Sequence, residues 1–398
     1  MNLFHTFTSV TSNYIPKANV LAESIKKFHP NSIFHLVLSD TLSLDIKKLI
    51  SDKIDSIILL ENLPIDNLMS WIFKHDVVEL CTAVKGVAFK QIYKDYKADK
   101  IIYLDPDTVV FNSLDNLTEK LNHNSVVLTP HFCKPQPDPK SIEHYEISVL
   151  KHGVYNLGFL GIRTSQDGLD FLDWWNERLI NYCYDEIARG LFTDQKWMDL
   201  APVFFDFIKI LKEPNYNVAV WNLTQRRISG AVPDNILIDD LPLVFFHFTG
   251  FDKNVDIAMI QKYDLPRIVL ELRKWYEQKL YEMGQQEIGS NACFYSFYND
   301  GEKITPLQRM IYRNNEKLQL RYPNPFSTAN DSFRTWFSDH YDINEQELYT
   351  PEILNDLPAE TISSILNATI NELNSLKKSK FWKLREAYWR FKRKLSIF

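Results

Sequence analysis

The sequence predicts an α/β fold, a mostly parallel sheet flanked by helices and followed by a helical C-terminal extension. Three observations carry that expectation. Short apolar runs alternate with helical periodicity over residues 3–60, the pattern of strands joined by crossover helices. The run IIYL at 101–104 is short enough for a buried strand and stops at two carboxylates, Asp105 and Asp107. Strand-like runs cease after about residue 262, where helical and aromatic-rich sequence takes over.

Taken in order, strands are expected at 3–10, 33–38 and 54–60, with helices at 17–28 and 44–50 between them. The helix at 17–28 follows from the spacing of Val20, Leu21, Ile25 and Phe28. Residues 125–129 read as a strand and 130–139 as a Pro-rich loop. The stretch GVYNLGFLGI at 153–162 reads as a strand whose two inner glycines admit a close neighbour. A helix at 167–182 carries the bulky face Phe171, Leu172, Trp174 and Trp175, and apolar segments follow at 192–200, 216–223 and 243–251. The resulting division is a main domain at 1–262, a mixed and helical extension at 263–345, and a helical region at 346–398 ending in a basic tail.

Composition limits what the chain does. At 398 residues with 45% apolar and 14% aromatic content it can bury a large core. The net charge of −6 is uneven: residues 377–398 hold nine Lys or Arg against one acid, leaving −14 on residues 1–376, which argues against nucleic acid as a partner. The cysteines, Cys81, Cys133, Cys183 and Cys293, have no zinc-like spacing and fit a reduced, cytoplasmic setting. The start MNLFHTFTSV lacks a signal-peptide pattern, and no run reaches the roughly 20 apolar residues of a membrane span. No glycine precedes Gly86, so the first strand-to-helix turn is neither a GxGxxG dinucleotide fingerprint nor a P-loop.

In a parallel α/β sheet, ligands bind beyond the carboxyl ends of the strands. Ser9 through Tyr14, Asp40 and the Asp105-Pro106-Asp107 segment fall there. Side chains two apart in an extended chain point the same way, so Asp105 and Asp107 can share one ion. Pro106 suits a strand end, and a solvated Asp-Pro-Asp turn is the competing account. Further on, His247 ends an apolar run, Gly250 admits close approach and Lys253 offers a point charge for phosphate. Two carboxylates and an imidazole suit Mn²⁺ or Mg²⁺.

Asp-Pro-Asp resembles the DxD motif of the GT-A glycosyltransferases, and His247, Gly250 and Lys253 resemble the HxxGxxK motif of their family 8. Asn156-Leu157-Gly158 is similar to that family's Asn-x-Gly segment, and Asp194-Gln195 to its Asp-Gln pair. Asn13-Tyr14 resembles the Asn-Tyr that packs on the base. The resemblance spans about residues 1–255 and implies a Rossmann-like GT-A domain. It further implies a retaining hexosyl transfer from a nucleotide-sugar donor, UDP-linked by preference, to a glycan or lipid-linked glycan, as in surface polysaccharide synthesis. Asp105, Asp107 and His247 would hold Mn²⁺ or Mg²⁺. Lys253 and Gly250 would meet the diphosphate, Asn13 and Tyr14 the nucleoside, and Asn156, Gly158, Asp194 and Gln195 the sugars; Ser9 and Asp40 are nucleoside candidates by their place at strand ends, Asp40 as the fallback contact.

Two positions depart from the family: Thr11 stands where an acid is usual, and Ala88 where an Arg is usual, with Lys85 or Lys90 as substitute cations. Either lysine could instead lie on a solvated helix face. Asp194 could cap a helix, and Tyr14 could be a packing residue. An inverting enzyme of the same fold, with Asp194 or Asp199 as general base, and a non-catalytic glycan-binding protein are the alternatives.

In the tail, Phe381, Leu384, Tyr388, Phe391 and Leu395 form one helical stripe among basic residues. Such a helix fits an anionic membrane surface and a peripheral location, or docking on its own domain.

Overall fold

The computed structural model describes residues 3–340. The expected helix at 348–376, the membrane-binding tail at 377–398 and the 346–398 region lie outside the described residues.

Seven strands form the main sheet: β1 (His5–Val10), β2 (Ile33–Leu38), β3 (Ser56–Leu59), β4 (Lys100–Leu104), β6 (Val126–Pro130), β7 (Tyr155–Arg163) and β8 (Ile208–Ile210). The spatial order is β8-β6-β7-β4-β1-β2-β3. All neighbours are parallel except those of β7, which runs antiparallel to both β4 and β6. The parallel strands β1, β2, β4 and β6 are almost wholly buried, because helices cover both faces. A separate antiparallel pair joins β5 (Thr108–Val110) to β9 (Phe245–His247) at one end of the sheet. The fold is the expected α/β architecture, and among the described residues helices rather than strands follow residue 262.

Three helices frame the site. α1 (Ile15–Phe28) follows the first strand with Pro16 in its opening turn, where a missing N–H costs nothing. α2 (Val77–Tyr96) opens on a reciprocal capping box, in which the Asp76 carboxylate accepts from the Glu79 amide and the Glu79 carboxylate from the Asp76 amide, both at 2.8 Å. α4 (Gln166–Tyr182) is capped by Ser165 and buries Phe171, Leu172, Trp175 and Leu179, residues at helical spacing that lie in the same apolar cluster as Leu80, Ala83, Val87 and Phe89 of α2. Between the Pro-rich loop and β7 the chain is helical from Pro139, ending in α3 (Ile147–His152), a segment that sequence periodicity left unassigned.

Residues 216–223 are not a strand, despite their apolar run. Asn217 adopts φ +46° and the segment folds back, bridging Val218 to Phe246 and bonding the Asn217 side chain to Thr129 and Asn156 of the main sheet.

The C-terminal extension shares the main core. α5 (Arg267–Glu282), α6 (Pro306–Arg313) and α7 (Phe333–His340) are its longest described helices. Phe73 packs against the rings of Tyr312, Phe326 and Phe333 at centroid distances of 5.1–5.4 Å. Arg309 donates to the carbonyls of Phe73 (2.9 Å) and Tyr295 (2.6 Å), while Arg313 pairs with Glu186 at 2.7 Å and Glu79 at 3.3 Å. Burial of one such aromatic ring stabilises by about 2–3 kcal/mol.

Two histidines buried away from the site make stability depend on pH. His35 stacks on His5 with Nε2 2.9 Å from its Nδ1, and burial pulls its pKa from 6.5 to about 3. His75 donates Nδ1–H to the Trp71 carbonyl, its Nε2 is buried without a partner, and burial takes its pKa likewise to about 3. Below pH 6.5 the unfolded chain gains protons that the folded chain refuses, so stability is lost as pH falls from 6.5 toward 3. At pH 5 the loss is about 4 kcal/mol for the two together. A urea midpoint that does not fall between pH 7 and pH 5 would contradict this.

Candidate active site

The site is built where β4 ends. Past Leu104 the chain turns, with the Asp105 amide bonded to the Gly158 carbonyl (2.8 Å) and the Thr108 amide to the Asp105 carbonyl (3.0 Å). β5 then pairs with β9 in a register that puts His247 opposite Thr108, and the Phe248 amide donates to the Asp107 carbonyl at 2.7 Å. Residues far apart in sequence are thereby brought together: ligand atoms of Asp105, Asp107 and His247 lie within 4.8 Å of one another. His247 Nε2 is 3.0 Å from Asp107 Oδ1 and 3.6 Å from Asp105 Oδ2.

The donor set fits a hard or borderline divalent cation. Two carboxylates and one imidazole provide it, the carboxylates stay partly open to solvent, and His247 Nδ1 is buried without a hydrogen-bond partner. Burial would discourage charge on His247, but Asp107 and Asp105 outweigh it and raise its pKa. Burial likewise works against ionised Asp107, and the His247 and Lys17 charges outweigh it, so its pKa is lowered.

Space for the imidazole comes from Gly158. A Cβ there would sit 2.5 Å from His247 Cε1 and 2.7 Å from Nδ1. Gly158→Ala is therefore expected to displace the ring and weaken Mn²⁺ binding at least about tenfold while costing about 1–3 kcal/mol of stability. Unchanged Mn²⁺ affinity in a titration would refute it.

Lys85 does not lie on a solvated face. It is buried, with Nζ 2.7 Å from Asp194 Oδ2, 3.1 Å from the Leu157 carbonyl and 3.5 Å from Asp105 Oδ1, over the Tyr103 ring at 4.0 Å. Burial disfavours its charge, and the Asp194 and Asp105 carboxylates more than restore it. The Tyr103 hydroxyl donates to Asp105 Oδ1 at 2.5 Å. Lys90, by contrast, is exposed and pairs with Asp173 at 2.7 Å.

Asp194 caps no helix: the short turn at Lys196–Asp199 begins after Gln195 and has no side-chain cap. Burial pulls the Asp194 pKa up, and Lys85 opposes this. Gln195 is held at both ends of its amide, Oε1 accepting from the Leu157 amide (3.3 Å) and Nε2 donating to the His152 carbonyl (2.9 Å). Asn156 Oδ1 accepts from Gly158 N (3.1 Å) and Asn217 Nδ2 (2.9 Å), and its Nδ2 meets His131 Nε2 at 3.3 Å.

Two cavities meet at these residues. One of about 240 Å³ is lined by Lys85, Asp105, Gly158, Asp194 and others. The second, of about 340 Å³, is walled by His131, Tyr145, His152 and Trp221. Asn156, Phe192 and Gln195 line both.

At the other end, Asn13 Oδ1 accepts from Thr11 Oγ1 (2.6 Å) and the Ser9 and Ser39 hydroxyls are 3.3 Å apart. Asp40 is fully engaged by the protein: Oδ2 accepts from Ser12 N and Oγ, and Oδ1 from the amides of Thr41 and Phe294. Tyr14 donates to Asp252 at 2.6 Å, Gly250 has φ +77°, which favours glycine, and Lys253 is exposed in the same turn. Sequence reasoning missed His131, Asn217, Trp221, Asp252 and Lys17. Asn217 and Trp221 sit inside an apolar run, and only tertiary contact reveals their place.

The sequence profile described as Glycosyl transferase family 8 matches residues 5–168, which include β1, the aspartates and the Asn-x-Gly strand. The chain is related to the family 8 glycosyltransferases. Among curated proteins of Bacillus subtilis (strain 168), the uncharacterized protein YfnF is 27% identical over 179 residues, covering 44% of this chain and 58% of YfnF. The uncharacterized protein YfnD is 21% identical over 294 residues, covering 70% of this chain and 91% of YfnD. Among solved structures, the galactosyltransferase LgtC with donor and acceptor sugar analogs aligns over 73% of this chain and 98% of LgtC, at 16% identity and a TM-score of 0.41. GlyE of Streptococcus pneumoniae TIGR4 aligns over 70% of this chain and 64% of GlyE, at 16% identity and a TM-score of 0.39. The chain aligns with little more than half of YfnF's length and with most of YfnD's.

Proposed function

We propose that this chain is a metal-dependent glycosyltransferase moving a hexosyl group from a nucleoside diphosphate sugar, UDP-linked by preference, to a hydroxyl of a glycan or lipid-linked glycan. The observation that carries the reading is the Asp105, Asp107 and His247 cluster, whose Asp105 lines a cavity that shares the wall Asn156, Phe192 and Gln195 with a second one. The smaller cavity would take the donor sugar and the larger the acceptor.

Asp105, Asp107 and His247 would hold Mn²⁺ or Mg²⁺, and the bound ion supplies positive charge against the leaving diphosphate. Lys253 adds a mobile cation at the same end. The Gln195 side chain, fixed by Leu157 and His152, presents its amide dipole at the shared wall, where the oxocarbenium-like centre would form. Lys85 holds Asp194, the residue before Gln195, in place.

Retention is favoured by what lines the larger cavity. An inverting enzyme needs a carboxylate base beside the acceptor hydroxyl, and none of the residues described as lining that cavity is Asp or Glu. Asp199 is spent on the Val154 amide (2.7 Å) and Lys196 (2.8 Å). The leaving diphosphate would then itself accept the acceptor's proton.

The test is slow donor hydrolysis over a panel of nucleotide sugars, with and without Mn²⁺, followed by NMR assignment of the product anomer. Metal-dependent release of a nucleoside diphosphate from one donor is the expected result. Sugar binding without turnover of any donor would make this a glycan-binding protein instead, and an inverted anomer would return Asp194 or Asp199 to the role of base.

A further inference from the structure

The turn at 249–254, which carries Gly250 and Lys253, is tied to the first strand-to-helix turn by one side chain. Asp252 Oδ2 accepts from the Tyr14 hydroxyl at 2.6 Å and from Lys17 Nζ at 2.5 Å, residues 238 and 235 positions away in the chain. Lys17 lies in the first turn of α1, its side chain 2% exposed, with Nζ 3.9 Å from the Tyr14 ring centroid. A buried ammonium is costly unless paired, so this contact is a firm one.

The tie has a direction. Inside the turn, the bonds are backbone ones, Val255 N to the Gly250 carbonyl (3.0 Å) and Asn254 N to the Phe251 carbonyl (3.1 Å), with Gly250 at φ +77° and Asn254 at φ +53°. These shape the turn but do not anchor it to the nucleoside end of the site. Asp252 does, and Lys253 projects from the adjoining residue of the same backbone. Asp252 is itself 39% exposed, with both described bonds on one oxygen.

We propose that Asp252 is a positioning residue. By clamping the turn to Tyr14 and Lys17 it sets the backbone from which Lys253 meets the donor's diphosphate, so that nucleoside and diphosphate recognition are held in one register. The inference rests on the proposed function, since it needs a nucleoside diphosphate as ligand.

The experiment measures calorimetric affinity for UDP with Mn²⁺ and for uridine, in the full chain and in D252N, K253M and the double variant. D252N is expected to weaken UDP about tenfold and leave uridine within about twofold, and adding D252N to K253M should cost nothing further, because Asp252 acts through Lys253. Equal losses for uridine and UDP, additive losses in the double variant, or unchanged UDP affinity in D252N would each overturn it. Should D252N fail to fold, Asp252→Ser, which removes the same carboxylate with a smaller side chain, must show the same split between UDP and uridine. A wild-type chain that binds no nucleoside diphosphate overturns the functional reading and this inference together, whereas wild-type binding with D252N unaffected overturns the inference alone.

Discussion

Asp107→Asn is expected to lower metal-dependent donor cleavage by roughly 10³, with the melting temperature little changed. The substitution keeps the shape of the side chain and removes one of two carboxylates facing His247. An ion that compensates the leaving diphosphate is worth several kcal/mol in the transition state, and each 1.4 kcal/mol is a factor of ten. Fold and metal loss are separable here, because Asp107's backbone carbonyl still receives the Phe248 amide and β5 still pairs with β9. Cleavage by D107N at wild-type rate in Mn²⁺ would remove the cluster from the mechanism.

The second large effect concerns Lys85. Replacing it with Met strips the buried Asp194 carboxylate of its ammonium partner and leaves Asp105 without its inner neighbour. Breaking one side of a buried ion pair costs about 3–5 kcal/mol, while replacing both sides with apolar residues is often nearly neutral. Lys85→Met is therefore expected to drop the urea stability by about 3–5 kcal/mol, and Lys85→Met with Asp194→Leu to recover most of it. A single variant as stable as the wild type would show that the pair contributes nothing. Activity should fall in both, because the double variant restores packing and not the placement of Gln195.

The site was legible in sequence where its parts were local. Asp105 and Asp107 at a strand end, and His247, Gly250 and Lys253 at fixed spacing, need only short-range reasoning, and the structure brings Asp105, Asp107 and His247 together. The β5 and β9 pairing that does so was not legible, since three-residue strands carry almost no periodic signal. The burial of Lys85 was not legible for a related reason. A lysine in a helix is ordinarily solvated, and the partner that makes burial tolerable, Asp194, lies 109 residues away. The helical stretch from 139 to 152 was hidden behind its prolines, and the antiparallel sense of β7 could not be read from a run of apolar residues. Asp40 was read as a nucleoside contact from its position, and the structure shows four protein donors on its carboxylate.

The stretch matched by the family profile ends at residue 168, yet the apolar cluster that contains Phe7, Tyr103 and Leu160 also contains Tyr295, Tyr312, Tyr322 and Phe333. The stretch that the profile matches and the packed core therefore do not end at the same place. Phe294 closes the hydrogen bonding of Asp40, and Arg313 closes the charge of Glu79, which begins the helix carrying Lys85. Exchanging the N-terminal portion between this protein and a relative would transplant the motifs without the ring cluster that seats them, so a functional chimera has to take residues 293–337 along as its keystone.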